Sequence, residues 1–495
     1  MTVYFINNAY KYETEAVLKL FCPLERFTFV YDEAPEKSSD IIIMEVGSKL
    51  RAYANIGANI GANIGGTDCE ITEPLREETD KEREFRLCRM LFTALAKITG
   101  ITPEWGCLTG VRPIKVVNGL ISKGCDMESV CSKLQEKYHA NRRKSELAYL
   151  TAVTQRPALE TLEPESYSLY ISIPFCPSRC SYCSFVSHSI QSKSAARLIP
   201  QYVESLCREI SELGEIMRDK KMFCKTVYIG GGTPTAFSAG DLKKIMETIA
   251  KSIDISKICE YNVEAGRPDT VTEEKLRVIK GCGATRISVN PQTMNDKVLE
   301  AAGRRHTAAQ VVECFGLARR LGFCNINMDT IAGLPEDDLQ SFKSTVDRLI
   351  SLDPESITVH TLTVKRSAAL SGEADKMRPK FFDSGELSEM VNFAFDRLTL
   401  SGYSPYYLYR QKNTVGNLEN VGYSKAGYEG LYNIYIMEEA QNILACGAGG
   451  STKLIDKATG KIQRFFNYKY PYEYISRYEE MTKYKGEIEK FAERF

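Results

Sequence analysis

The chain has 495 residues, 43% of them hydrophobic and 26% charged, with 64 Lys+Arg set against 64 Asp+Glu and a formal net charge of +0. This is ordinary globular composition on a length sufficient for two or three domains. The balance excludes a strongly basic nucleic-acid binder and an acidic solvating tail. No apolar stretch reaches the roughly 18–20 residues that a bilayer span needs. The opening Met1-Thr-Val-Tyr-Phe-Ile-Asn-Asn lacks a basic segment followed by an apolar core, so no signal peptide is expected. Sixteen cysteines without an export signal predict reduced thiols in a cytoplasm. A core of this size needs no disulfides.

Residues 1–160 are predicted to form an N-terminal α+β domain, with strands at 3–5, 28–31 and 40–45 and a long helix at 80–98. They carry no chemical motif. Ala54-Asn-Ile-Gly repeats three times, to Gly65; glycines at every fourth residue suit neither helix nor strand, and the run reads as a loop expansion. Trp105-Gly-Cys-Leu-Thr-Gly-Val-Arg-Pro-Ile-Lys115 contains the only tryptophan and is expected to serve packing.

Cysteines that stand alone, such as Cys22, Cys69, Cys88, Cys107, Cys207, Cys259, Cys314 and Cys446, read as small buried hydrophobes. Residues 168–188 are different: Ser-Leu-Tyr-Ile-Ser-Ile-Pro-Phe-Cys176-Pro-Ser-Arg-Cys180-Ser-Tyr-Cys183-Ser-Phe-Val-Ser-His188. The alternating run at 169–173 predicts a strand that Pro174 stops, which puts three thiols on the loop leaving its C-terminal end. Three thiolates are one short of a structural zinc site, for which His188 is the available fourth ligand. They also suit a 4Fe–4S cluster, normally held by four thiolates, with one iron left open for a substrate or cosubstrate.

Further strands are predicted at 226–230, 262–265, 285–289, 325–331 and 356–361, with amphipathic helices near 197–217, 240–252, 272–280, 307–321 and 337–350 between them. With the cysteine strand this makes six β/α units and a parallel sheet, whose ligands gather at the C-terminal strand ends. Gly230-Gly-Gly-Thr-Pro-Thr235 follows one strand and lets backbone approach a ligand closely. No Gly-Lys-Ser/Thr follows, so it is not a phosphate-binding Walker loop. Periodicity alone allows a barrel or a doubly wound open sheet.

CxxxCxxC is the signature of radical S-adenosylmethionine enzymes. The run Tyr170-Ile-Ser-Ile-Pro-Phe-Cys176 resembles the opening of the oxygen-independent coproporphyrinogen III oxidase family within that class. The resemblance implies an α/β fold built on a partial six-unit (β/α)6 radical-SAM barrel over 165–370. It implies a 4Fe–4S cluster on Cys176, Cys180 and Cys183, and S-adenosylmethionine as the cosubstrate. Residues implied to bind it are Gly231, Gly232 and Thr233 at the methionine amino group and Glu264, in Val-Glu-Ala-Gly-Arg-Pro, at the methionine moiety. Gln292, in Arg286-Ile-Ser-Val-Asn-Pro-Gln, joins them, as do Arg304 at the methionine carboxylate and Asp329 at the ribose hydroxyls. Tyr170, Tyr182 and Phe185 complete the implied cofactor-binding set. No catalytic residue beyond these is singled out. Cleavage takes one low-potential electron at the sulfonium, hence an electron donor as partner, and yields a deoxyadenosyl radical that abstracts hydrogen.

Residues 371–495 are expected to form a mainly helical, tyrosine-rich region covering the substrate. Tyr403, Tyr406, Tyr407, Tyr409, Tyr423, Tyr428, Tyr432 and Tyr435 are interleaved with Arg410, Lys412 and Lys425. Flat rings with polar tips beside cations suit a macrocycle bearing propionates, and equally a half-buried core. Gln411-Lys-Asn-Thr-Val-Gly-Asn-Leu-Glu-Asn-Val-Gly-Tyr423 and Cys446-Gly-Ala-Gly-Gly450 again resemble a longer subgroup of the family. The resemblance implies oxidative decarboxylation of two coproporphyrinogen III propionates to vinyl groups, giving protoporphyrinogen IX. Relatives that chaperone or modify haem carry phenylalanine where the oxidases have a fourth cysteine, and Phe185 holds that position here. Haem chaperoning, or radical modification of another tetrapyrrole, are therefore the alternatives.

Overall fold

The computed structural model describes residues 1–495 except 24, 36–39, 57–67, 184, 186, 364–383, 412–416, 457–458 and 493–495. Most of the Ala-Asn-Ile-Gly repeat, Lys412, and part of the segment 411–423 lie outside the described residues. The chain divides into two compact units, Met1–Tyr149 with Arg410–Glu419, and Leu150–Tyr409 with Asn420–Phe495.

The first unit contains β1 (Thr2–Ile6), α1 (Lys11–Phe21), β2 (Thr28–Tyr31), β3 (Ile41–Val46), β4 (Lys49–Asn55), β5 (Asp68–Pro74), α2 (Asp80–Thr99), α3 (Ile114–Ile121) and α4 (Met127–Tyr138). Its sheet runs β2-β1-β3-β4-β5, with β1 parallel to both β2 and β3, and β3, β4 and β5 antiparallel. The apolar residues that alternate along β1 and β4, Val3, Phe5 and Leu50, meet Leu18 of α1 and Leu91 and Leu95 of α2 in one core. Helix α2 starts in a reciprocal cap between Thr79 and Glu82 and stops at Gly100, whose φ of 69° only glycine adopts without strain. Trp105 is buried, and its indole N–H donates to the Glu419 carboxylate at 2.7 Å, which also accepts from Lys144 Nζ at 2.6 Å.

The boundary between the units at Leu150 falls within α5 (Arg142–Glu160). Past that helix the second unit holds β6 (Ser166–Ile173), the two-residue strands β7 (Phe175–Cys176) and β8 (His188–Ser189), α6 (Lys193–Asp219), β9 (Phe223–Gly231), α7 (Ala239–Ser252), β10 (Glu260–Gly266) and α8 (Glu273–Gly281). It continues through β11 (Arg286–Val289), α9 (Asp296–Ala301), α10 (Ala308–Arg320), β12 (Ile326–Ala332), α11 (Leu339–Leu352) and β13 (Ser356–Thr361). All six expected strands and five expected helices are present. β6, β9, β10, β11, β12 and β13 pair in that order, all parallel, as the six-unit partial barrel requires.

The C-terminal region supplies α12 (Ser384–Leu400), β14 (Ser404–Arg410), β15 (Glu419–Ser424), α13 (Leu431–Glu438), β16 (Asn442–Cys446), β17 (Ser451–Ile455), β18 (Ile462–Phe466), α14 (Pro471–Ser476) and α15 (Tyr478–Ala492). Its helices accompany strands that widen the sheet at both edges. β15 joins β13 antiparallel, and β16 joins β6 parallel. Helix α13 sits against the barrel strands: the amides of Leu431 and Tyr432 donate to the Glu260 carboxylate at 2.9 and 3.2 Å. The Tyr432 ring stacks on Tyr228 at 4.6 Å and Tyr170 at 6.0 Å. Buried Arg286 donates to the Tyr428 carbonyl at 2.8 Å and the Ser356 hydroxyl at 2.7 Å.

Those contacts decide the two readings of the tyrosine-rich segment. Tyr403, Tyr406, Tyr407, Tyr423, Tyr432 and Tyr435 are all buried. They are core of the protein rather than a free platform for a flat ligand.

Candidate metal and cofactor site

Strand β6 delivers the cysteine loop to the C-terminal edge of the parallel sheet. Pro174 has no amide hydrogen to continue the ladder, and the chain turns into β7, which pairs with β8 through Phe175↔His188 and Cys176↔Ser189. Further bonds fix the loop. The Ile190 amide donates to the Cys176 carbonyl at 2.9 Å, and the Ser181 amide to the Ala302 carbonyl at 3.2 Å. Arg267 donates to the Ser178 hydroxyl at 2.7 Å while its other nitrogens hold the Asp269 carboxylate at 2.8 and 3.0 Å.

The glycine loop after β9 faces the cysteines. The Gly232 and Thr233 amides donate to the carbonyls of Ile173 and Phe175 at 2.7 and 2.8 Å. The Thr233 hydroxyl donates to Cys176 Sγ at 3.5 Å. A Cβ on Gly232 would lie 2.6 Å from the Phe175 carbonyl oxygen and 3.0 Å from Cys176 Sγ, so only glycine permits the approach. Gly231 turns at φ 109° and its amide reaches the Glu264 carboxylate.

Glu264, half-buried on β10, accepts from the Tyr228 hydroxyl. Burial pushes its carboxyl up to about 7; neighbouring Asp329 adds to this, and the Tyr228 and Gly231 hydrogen bonds oppose it. Gln292 stands at φ 70°, a strained backbone for a residue with a side chain. Its amide donates to the Asp329 carbonyl at 2.9 Å, and its carbonyl accepts from the Ile331 amide at 2.9 Å. Arg304 spends Nε on the Tyr182 hydroxyl at 3.1 Å and Nη1 on the Asn290 carbonyl at 2.7 Å. Asp329 accepts from Asn327 at 2.7 Å and lies 4.0 Å from His360.

Eleven of the thirteen residues singled out from the sequence are thus linked from strand end to strand end. Tyr170 lies deeper, stacked 6.0 Å from Tyr228 within the barrel. Phe185 is the exception: its side chain is 65% exposed, while its backbone amide hydrogen-bonds Cys183. Arg267, Tyr228, Asn290 and His306 escaped the sequence reading, although Arg267 sits three residues past Glu264 in the quoted motif. Buried His306 packs 3.9 Å from Asp269 with neither ring nitrogen hydrogen-bonded to a side chain, and burial together with Arg304 lowers its pKa to about 4.

The donors are three thiols on one loop, the ligand type of a 4Fe–4S cluster. Among the described residues no three His, Cys, Asp or Glu side chains gather tightly enough for a single metal ion. Burial pushes the thiols of Cys176 and Cys183 up, and neighbouring Cys180 adds to this. Around them, Asn290 Oδ1, Gln292 Oε1 and the Ser181 hydroxyl are buried without hydrogen-bond partners. Buried acceptors are rarely left so, and a ligand with donors satisfies them.

A thiol trio on the loop leaving the first strand of a six-unit parallel barrel defines a radical S-adenosylmethionine protein, and the Radical SAM superfamily model matches residues 170–349. Such proteins use a 4Fe–4S cluster and S-adenosylmethionine. The chain is 39% identical, over 82% of its own length and 81% of the relative's, to the oxygen-independent coproporphyrinogen-III oxidase-like protein HemZ of Bacillus subtilis (strain 168), and it belongs to that oxidase-like family. It is also 32% identical to the heme chaperone HemW of the same organism, over 57% of this chain and 69% of that one. Among solved structures it is similar to the coproporphyrinogen III oxidase HemN from Escherichia coli, with a TM-score of 0.48, 19% identity, and coverage of 66% of this chain and 72% of that one. No helix among the described residues is long and apolar enough to cross a membrane.

Proposed function

We propose that the protein is a cytoplasmic radical S-adenosylmethionine oxidoreductase that converts coproporphyrinogen III to protoporphyrinogen IX without oxygen. The observation carrying the radical chemistry is the cysteine loop locked against the glycine loop, with unpartnered buried acceptors beside it. The substrate is supported by the name of the relative at 39% identity. When bound, the cluster and S-adenosylmethionine supply a hydrogen-abstracting carbon radical. Each propionate would lose one hydrogen atom from its β-carbon, carbon dioxide, and one electron to an acceptor, leaving a vinyl group.

The chain's own residues bind, orient and exclude water in this reading. Cys176, Cys180 and Cys183 hold the metal. The Gly231–Thr233 backbone and the ionised Glu264 take the methionine ammonium. Arg304, already held by Tyr182 and Asn290, offers Nη2 to the methionine carboxylate. Asp329 and Gln292 take the ribose and neighbouring polar groups.

A second reading, a haem chaperone, is favoured by Phe185 and by the identity to HemW. The burial of Tyr403, Tyr406, Tyr407, Tyr423, Tyr432 and Tyr435 argues against it, since these six are not free to ligate iron. Anaerobic incubation with coproporphyrinogen III, S-adenosylmethionine and a reductant, followed by mass spectrometry, separates the two. Loss of two carbon dioxide units per macrocycle is expected. No turnover, with tight one-to-one haem binding, overturns the oxidase reading.

A further inference from the structure

One side chain outside the set expected from the sequence reaches the middle of the cysteine loop. Between Cys176 and Cys180 the chain reads Pro177-Ser178-Arg179. The Pro177 carbonyl accepts from the Ser189 hydroxyl at 3.1 Å. Among the described residues, the one side chain that hydrogen-bonds Ser178 is Arg267, whose Nη1 donates to the Ser178 hydroxyl at 2.7 Å and to its carbonyl at 3.3 Å. Arg267 is 3% exposed and stands on a rigid stem. Gly266 ends β10 at φ 68°, and a Cβ there would lie 3.3 Å from the Thr233 methyl. Pro268 opens a single 3-10 turn, Pro268–Thr270, and the Thr270 amide and hydroxyl donate to the Arg267 carbonyl at 3.0 and 2.8 Å. Each guanidinium nitrogen is used. Nε and Nη2 grip the two oxygens of Asp269 at 3.0 and 2.8 Å, so the positive end of the pair faces the loop and the carboxylate lies behind it.

We propose that Arg267 is a positioning residue for the cluster: it sets the shape of the segment joining the first two sulfurs and favours the cluster's reduced state. Groups behind the ligating side chains orient them and tune the metal they hold. The potential of an iron–sulfur cluster follows its net charge, the hydrogen bonds around its sulfurs and its exposure. Reduction adds one negative charge, and a buried cation turned towards that charge stabilises the reduced form more than the oxidised one. The fork also resists drift of the loop, because moving Ser178 breaks two bonds at a buried cation. That restraint matters most where three thiolates do the work usually shared by four. A lysine at this position would supply the charge without the fork. The inference rests on the family's cluster and uses no tetrapyrrole, so it stands or falls apart from the substrate reading.

The test uses the full chain reconstituted anaerobically with iron and sulfide. An equilibrium redox titration followed by electron paramagnetic resonance reads the potential, and a ferrous chelator reads how fast iron is stripped. In Arg267→Gln the ratio of reduced to oxidised cluster at a fixed potential should fall roughly tenfold, and iron should leave severalfold faster. Ser178→Ala keeps the cation and loses one bond, so iron should leave faster while the potential stays close to that of the unaltered protein. Arg267→Lys should behave like Ser178→Ala. An unchanged potential in Arg267→Gln overturns the inference. So does a potential in Ser178→Ala shifted as far as in Arg267→Gln, which would leave the charge no part in the effect. Should Arg267→Gln load no cluster, the other two variants carry the test, and iron loss at the unaltered rate in both overturns it.

Discussion

Two glutamates stand on opposite sides of β6, each beside a glycine loop at the end of a parallel strand. Glu209, on α6, faces the loop after β16. It is 3% exposed and accepts from the Gly447 amide at 2.7 Å, Asn467 at 2.8 Å and the Tyr474 hydroxyl at 2.6 Å. In the same corner the Ala448 amide donates to Tyr202 and the Ser172 hydroxyl to the Ala448 carbonyl. Glu264, on β10, faces the loop after β9, has Tyr228 and one amide as donors, and meets the charge of Asp329 instead of a cation. Burial raises both carboxyls. The difference is what remains to be satisfied: Glu209 is sealed by three donors and serves the fold, whereas Glu264 still lacks a positive partner. Glycines and a buried acid at a strand end do not make a site by themselves; an unmet bonding requirement does.

The sharpest way to break this contrast begins outside it. Cys180→Ala should abolish both the brown cluster absorbance and S-adenosylmethionine cleavage in anaerobically reconstituted protein, with circular dichroism unchanged. Glu209→Ala should cost about 3 kcal/mol in urea unfolding, because it strands three buried donors, while the folded fraction keeps its affinity for S-adenosylmethionine. Glu264→Gln should do the reverse, weakening that affinity by roughly tenfold through loss of a charge-assisted contact with little change in unfolding midpoint.

The same variant sharpens the comparison through pH. The folded protein holds the Glu264 proton more tightly than the unfolded chain does, so the apoprotein should lose stability as pH rises from about 4.5 to about 7. Affinity for the ammonium-bearing cosubstrate should climb over the same interval, and both slopes should flatten in Glu264→Gln, as calorimetry would show. The smallest effect belongs to Tyr474→Phe, which removes one donor from Glu209 and should cost roughly 1 kcal/mol in thermal unfolding, leaving cosubstrate binding untouched.

The barrel was readable because each of its strands is a short apolar run bounded by a helix of clear 3.6-residue period, as at Ser356–Thr361 after the helix ending at Leu352. The thiol trio was readable from spacing alone. Other parts carry weaker local signals. β5 reads Asp-Cys-Glu-Ile-Thr-Glu-Pro, with every other residue exposed, and such an edge strand looks like a loop. β16 is a five-residue apolar run whose partner lies far back in the chain, and no local pattern announces a pairing of that range. Arg267 and Tyr228 act through contacts across strands, Arg267 on the Ser178 hydroxyl and Tyr228 on Glu264, which spacing does not encode. The tyrosines between 403 and 435 show composition without direction; only packing tells a buried ring from a presented one.

The pairing of β16 with β6 also orders events during synthesis. The strand that carries the cysteine loop has one bare edge until Cys446 has left the ribosome, and its Ser172 hydroxyl waits equally long for the Ala448 carbonyl. A nascent chain therefore shows its three thiols well before the scaffold beneath them is complete.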